Sequence, residues 1–181
     1  VSKRTQQIRD MISTTISLDR EWLGRTGAGR DEPELYLPWM PFSWPDFIAL
    51  VAEALPETTG DKFLDIGAGV GSKMMLAEEI FGLDVRGIER VPEYVKEARQ
   101  RGLIVTEADA LGWDGYCDYD LIFFNRPFFS QQRQAELEQQ VWADMKPGAV
   151  VIGVNLLAPP PATWNLLLDD GEVRRWVLQK N

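Results

Sequence analysis

A chain of 181 residues, 45% hydrophobic and 26% charged, has the length and composition of one α/β domain with a sizeable core. It contains no histidine, which excludes Ser-His-Asp and Cys-His nucleophile systems and the usual Cys/His zinc sites, so no metal is expected and any general base must be Asp, Glu, Lys, Tyr or water. A net charge of −9 disfavours nucleic acid as a partner, and the single Cys117 allows no intramolecular disulfide and fits a reducing compartment, the cytoplasm.

Residues 5–23 place Ile8, Met11, Ile12 and Ile16 at helical spacing, a stripe expected to pack on the domain. The start of the chain is polar and no apolar run approaches ~20 residues, so neither a secretory signal nor a membrane span is expected. Residues 24–34 form a Gly- and charge-rich loop. Three prolines and four aromatics then crowd residues 36–45 and rule out regular helix or central strand there. Ser43 is placed to cap a helix running to Leu55, with Pro45 and Asp46 in its first turn. Residues 1–60 thus read as N-terminal helices plus an aromatic, proline-stiffened segment, and 61–181 as the core of the same single domain.

From residue 62 strands and helices alternate. The pattern gives strand 62–66, helix 72–81, strand 84–88, helix 92–101 and strand 103–106. Strand 119–124, helix 131–145 and strand 149–154 follow. After a proline-rich loop at 158–161, residues 164–168 and 173–178 flank an Asp169-Asp170-Gly171 turn as a hairpin. Such alternation implies a doubly wound, mostly parallel sheet with an antiparallel C-terminal hairpin at one edge.

Ligands of such sheets bind beyond the C-terminal strand ends, where strand order reverses. The first of those ends is Phe63-Leu64-Asp65-Ile66-Gly67-Ala68-Gly69-Val70-Gly71-Ser72, a buried strand, a glycine turn and a helix start. Glu89 follows Gly67 by 22 residues, close to the spacing of an acid that holds a ribose diol. Asp109 ends the next unit, where a carboxylate accepts from an adenine amine or simply caps a loop. A dinucleotide fingerprint would want glycine at position 72, where Ser72 stands; a phosphate-binding P-loop would want Gly-Lys-Ser/Thr, and the order is Gly71-Ser72-Lys73.

Together these residues resemble the class I S-adenosylmethionine-dependent methyltransferases, over roughly residues 60–155 and the terminal hairpin. That family's D/E-x-G-x-G-x-G motif is matched by Asp65, Gly67, Gly69 and Gly71, its ribose acid by Glu89 and its adenine-side acid by Asp109. The resemblance implies a seven-stranded Rossmann-like sheet and S-adenosylmethionine as cofactor. It places Ala68, Arg90, Ala110 and Asn125 on the cofactor as well. Tyr36 joins them through a Tyr-Leu-Pro-Trp-Met-Pro stretch similar to the family's Tyr-x-Pro-x-Pro cover. Asn125-Arg126-Pro127-Phe128 resembles the Asn/Asp-Pro-Pro-Tyr/Phe tetrad of amine methyltransferases, with Arg126 in place of the first proline. It implies Asn125 as the catalytic group and N-methylation as one chemistry. Trp39, Phe42 and Phe128 are the expected acceptor walls, and residues 24–45 a lid or, alternatively, plain core cover. The acceptor, small molecule or protein, stays open. So do a non-catalytic S-adenosylmethionine-binding module and a nucleotide-dependent oxidoreductase.

Overall fold

The computed structural model describes residues 2–23, 42–157, 160–169 and 175–181. Tyr36, Trp39 and all of the expected lid before Phe42 lie outside them, as do Asp170 and Gly171 of the expected hairpin turn and Val173. Two helices open the chain, α1 (Lys3–Leu23) and α2 (Trp44–Ala54). The alternating core follows: β1 (Lys62–Ile66), α3 (Ser72–Phe81), β2 (Asp84–Glu89), α4 (Pro92–Gln100) and β3 (Val105–Glu107). It continues through β4 (Leu121–Asn125), α5 (Gln131–Asp144), β5 (Val150–Val154), β6 (Trp164–Asp169) and β7 (Arg175–Lys180). No helix among the described residues is long and apolar enough to cross a membrane.

The seven strands form one sheet in the order β3-β2-β1-β4-β5-β7-β6. β1 to β5 run parallel, and β7 lies antiparallel to both β5 and β6. Strand order reverses between β1 and β4, so the crevice that the winding leaves opens above those two C-terminal ends. β6 meets β7 with a register shift between Leu166 and Leu168.

Side chains alternate across β1 as the pleat requires. Phe63 joins Phe47, Met74, Val95 and Phe123 beneath α2, α3 and α4, while Leu64 joins Ile122, Phe124, Leu137 and Val141 beneath α5. α1 lies over α3, burying Leu18 and Trp22 against Val70 and Tyr94, with the Trp22 and Tyr94 rings edge to face at 5.3 Å. Burying a large apolar side chain contributes about 1.5–3 kcal/mol. The half-exposed Arg4–Glu79 pair, at 2.5 Å, belongs to a class worth about 0–1 kcal/mol. Apolar burial therefore holds α1 down.

Several boundaries differ from the sequence pattern for local reasons. β3 starts at Val105 because Leu103 is drawn into the end of α4, its amide donating to the Ala98 carbonyl. β4 starts at Leu121 because Tyr119 closes a 3-10 turn onto Tyr116. β7 runs on to Lys180 because its backbone pairs with Gly148 and Ala149. Ser43 makes no side-chain capping bond, and the helix is opened by its backbone carbonyl, which accepts from the Phe47 amide. Ser130 does cap α5, its hydroxyl accepting from the Arg133 amide at 3.4 Å.

Candidate functional site

A cleft of about 970 Å³, open mouth included, lies at the reversal point above β1 and β4. Its floor is the glycine turn. Gly67, Gly69 and Gly71 all have positive φ, at 77°, 56° and 84°, a region that suits glycine. The Gly67 and Ala68 amides both donate to the Ile88 carbonyl, at 2.9 and 3.0 Å, and fasten the turn to β2. Gly67 and Ala68 line the cleft. Gly71 is also held to glycine by packing, since a Cβ there would fall 2.1 Å from Leu103 Cδ1.

At the end of β2, Glu89 bridges two loops. Its Oε2 accepts from the Gly69 amide and its Oε1 from the Val91 amide, each at 2.8 Å. Burial pushes its carboxyl up, and the backbone bonds from Val91, Gly69 and Arg90 pull it back. Three backbone bonds leave part of the carboxylate's four-lone-pair acceptor capacity unspent, and the side chain lines the cleft. That donor set fits a vicinal diol.

Asp109 is more heavily engaged than a lone loop acid. Its Oδ1 accepts from the Leu111 amide at 3.1 Å, and its Oδ2 from Arg90 at 3.1 Å and Arg133 at 2.9 Å. Asp109 and Ala110 line the cleft with Arg90. Phe128 lines it too but is only 1% exposed, and the Arg133 guanidinium sits 4.9 Å from its ring centroid. Phe42 contributes to the wall and tilts against Phe123 at 5.7 Å.

A buried charge cluster lies on the α3 side. Asp65 is 3% exposed, and its carboxyl is pushed up to about 7 by burial; Lys73 lowers it and Glu89 raises it further. Lys73 is itself buried, its Nζ 3.5 Å from Asp19 Oδ2 of α1. Desolvation lowers its ammonium, and Asp19 and Asp65 oppose that. Periodicity treats Asp19 and Lys73 as solvated helix charges; no local signal joins residues so far apart in the chain.

Opposite, the ends of β4 and β5 carry Arg126 (φ 37°) and Asn155 (φ 60°), which alone among described non-glycine residues have positive φ. Strained backbone of this kind collects at binding and catalytic sites. Asn155 Nδ2 donates to Asn125 Oδ1 at 3.1 Å, tying the two strand ends together. Behind them the Phe128 amide donates to Gln134, Gln134 to Glu138, and the Leu157 amide to Glu138, a buried chain joining the same two loops. The sequence reading missed Asn155, although the rule that selected Asn125 applies equally to the residue after β5.

Asp65, Gly67, Glu89, Asp109 and Asn125 thus meet in one cleft. The protein-L-isoaspartate O-methyltransferase of Dictyoglomus thermophilum is 31% identical over 88 residues, which are 44% of this chain and 40% of that protein. Its counterpart from Thermococcus onnurineus is 37% identical over 70 residues, 39% of this chain and 32% of that one. The chain therefore spans about a third to two fifths of these relatives' length. An RNA methyltransferase from Salinibacter ruber, solved with S-adenosyl-L-homocysteine, superposes with a TM-score of 0.61 at 18% identity, covering 78% of this chain and 92% of that one. A methyltransferase from Thiobacillus denitrificans, also solved with S-adenosyl-L-homocysteine, gives 0.53 at 17% identity over 64% of this chain and 50% of its own. Likeness at that identity speaks for the fold. Residues 45–149 match the model of a family described as methionine biosynthesis protein MetW, and with its glycine turn and strand order the chain belongs to that family, on the class I S-adenosylmethionine-dependent methyltransferase fold.

Proposed function

We propose that the cleft binds S-adenosylmethionine and that the chain transfers the cofactor's methyl group to an anionic, oxygen-bearing acceptor placed beside Asn125 and Arg126. The observation that carries the cofactor reading is the convergence of the glycine turn, Glu89 and Asp109 from successive strand ends on one cleft. Neighbouring structures solved with S-adenosylmethionine or its product support it. Glu89 takes the ribose hydroxyls, Ala110 and Ile88 flank the base, and Asp65 offers negative charge to a cationic ligand. The cofactor, when bound, supplies a methyl already activated as a sulfonium, so the chain's part is alignment and exclusion of water.

Two features favour an oxygen acceptor over an amine. The amine reading uses the Asn125 carbonyl as acceptor for the acceptor's N–H, and Asn155 already takes one of that oxygen's two lone pairs. Arg126 has φ 37°, which proline, fixed near −65°, does not adopt, so the loop departs from the Pro-containing tetrad. Arg126 also lines the cleft, forms no ion pair among the described residues and leaves a buried Nε without a hydrogen-bond partner. A partly buried guanidinium in that state fits a carboxylate. The curated relatives are O-methyltransferases by name, which agrees.

The test is by-product release against panels of carboxylates, phenols and amines, with products identified by mass spectrometry and NMR. An N-methylated product overturns the oxygen reading. With an active acceptor, Asn125→Ala should lower turnover about 3- to 10-fold, the value of one hydrogen bond of ~0.5–1.5 kcal/mol. Cofactor affinity should hardly change.

Asp65 gives a pH dependence with a definite sign. Its folded carboxyl titrates near 7 rather than 3.8. The free protein therefore gains stability from this proton at acid pH and loses it as pH rises through 7. A cationic cofactor prefers the carboxylate, so S-adenosylmethionine should bind more tightly at pH 7.5 than at pH 5.5, by up to about tenfold per pH unit below the carboxyl's midpoint. Calorimetry in buffers of different ionisation enthalpy should register proton release. Asp65→Asn should flatten the profile.

A further inference from the structure

We infer that Ser72 and Lys73, at the start of α3, form a subsite for the carboxylate of the cofactor's amino-acid end, and that Asp19 of α1 positions Lys73 for it. The inference rests on the reading of the cleft as an S-adenosylmethionine site and extends it to residues outside the glycine motif.

Ser72 opens α3, lines the cleft and is 1% exposed, yet its hydroxyl has no hydrogen-bond partner among the described residues. A buried hydroxyl left unspent is costly, and natural proteins rarely tolerate one without a role. Lys73 lines the same cleft and is 6% exposed. Its ammonium has three donors, and among the described residues its single ion pair is with Asp19 Oδ2 at 3.5 Å. That separation is long for a charge-assisted bond, which closes to about 2.7–2.9 Å. The second oxygen, Asp19 Oδ1, is buried and has no hydrogen-bond partner.

A rivet built only to hold α1 on α3 would pair these groups fully. Here a hydroxyl and an ammonium are both buried on the cleft wall with donating capacity to spare, at a helix N-terminus whose partial positive charge favours an anion. The complementary ligand group is a carboxylate. A cofactor seated by its ribose on Glu89 has one such group, at its amino-acid end. Asp19, which does not line the cleft, holds the ammonium from behind. The N-terminal helix thereby becomes part of the binding site rather than a cover on the sheet.

The test compares ligands as well as variants. Binding of S-adenosylmethionine, its decarboxylated analogue and 5′-methylthioadenosine is measured by calorimetry on the whole chain. The unaltered protein should hold S-adenosylmethionine at least tenfold more tightly than the decarboxylated analogue. Lys73→Met should bring that ratio to within twofold, leaving the two carboxylate-free ligands unchanged. Ser72→Ala should lower the ratio several-fold with little risk to folding, and Asp19→Asn should lower it in the same selective way. Equal losses on all three ligands would make Lys73 and Asp19 purely structural and overturn the subsite, as would an unaltered protein that does not distinguish the two sulfonium ligands. Failure of the folded, unaltered chain to bind S-adenosylmethionine at all would instead overturn the cofactor reading, and the subsite with it.

Discussion

Replacing Glu89 with alanine should weaken the binding of S-adenosylhomocysteine by about 10- to 100-fold, the ~1.5–3 kcal/mol of hydrogen bonds to a charged group. The carboxylate does two things. It stands ready for a diol, and it joins the Gly69 and Val91 amides at 2.8 Å each. Alanine removes both, so the variant's thermal midpoint must be measured beside its affinity. Glu89→Gln separates the effects. Its carboxamide keeps one acceptor for the backbone but turns an NH₂ toward the other amide, so both turn and affinity should suffer, the affinity less than in the alanine variant. A folded Glu89→Ala protein that binds like the unaltered chain would remove Glu89 from the ribose.

Gly71→Ala should lower stability by about 2–5 kcal/mol, adding ~1–2 kcal/mol for a left-handed residue with a side chain to ~1–3 kcal/mol for overpacking. The added Cβ would fall 2.1 Å from Leu103 Cδ1, at φ 84°. Gly82 provides the internal control, for it has φ 73° with nothing within 4 Å of a Cβ. Gly82→Ala should therefore cost only the conformational part. Urea denaturation of both variants isolates the clash as their difference, and Leu103→Ala in the Gly71→Ala background should recover part of it. Equal midpoints for the two alanine variants would show that Leu103 yields without cost.

Much of this was legible from local signals. Asp65 through Ser72 announced strand, turn and helix because glycines at alternate positions have few other uses beside a buried run. Glu89 and Asp109 followed from one rule about strand ends. What the sequence concealed was long-range. Lys73 meets Asp19 and Asn125 meets Asn155, and no periodicity couples positions on different elements. Phe128, an expected acceptor wall, does line the cleft. Arg133, in the first turn of α5, lies over its ring, a contact fixed by how α5 packs rather than by the tetrad. Ser43 failed as a side-chain cap although its residue type was right, because residue type permits a capping bond but the rotamer decides it. Arg126 illustrates a third kind of gap. Losing a proline was visible, but the left-handed backbone that the loss permits was not.

The register shift in β6 bears on how the sheet ends. Among the described strands, the two margins are β3, with Thr106 and Glu107 exposed, and β6. β3 is three residues long, too short and too polar to template a neighbour. β6 is longer, six residues with Leu166 half exposed, and it is the margin at risk of recruiting another chain's backbone. The irregularity between Leu166 and Leu168 interrupts the row of donors and acceptors that a flat incoming strand would have to match. Growth of the sheet by edge-to-edge addition is thus discouraged at both of these margins, by brevity at one and by a break in register at the other.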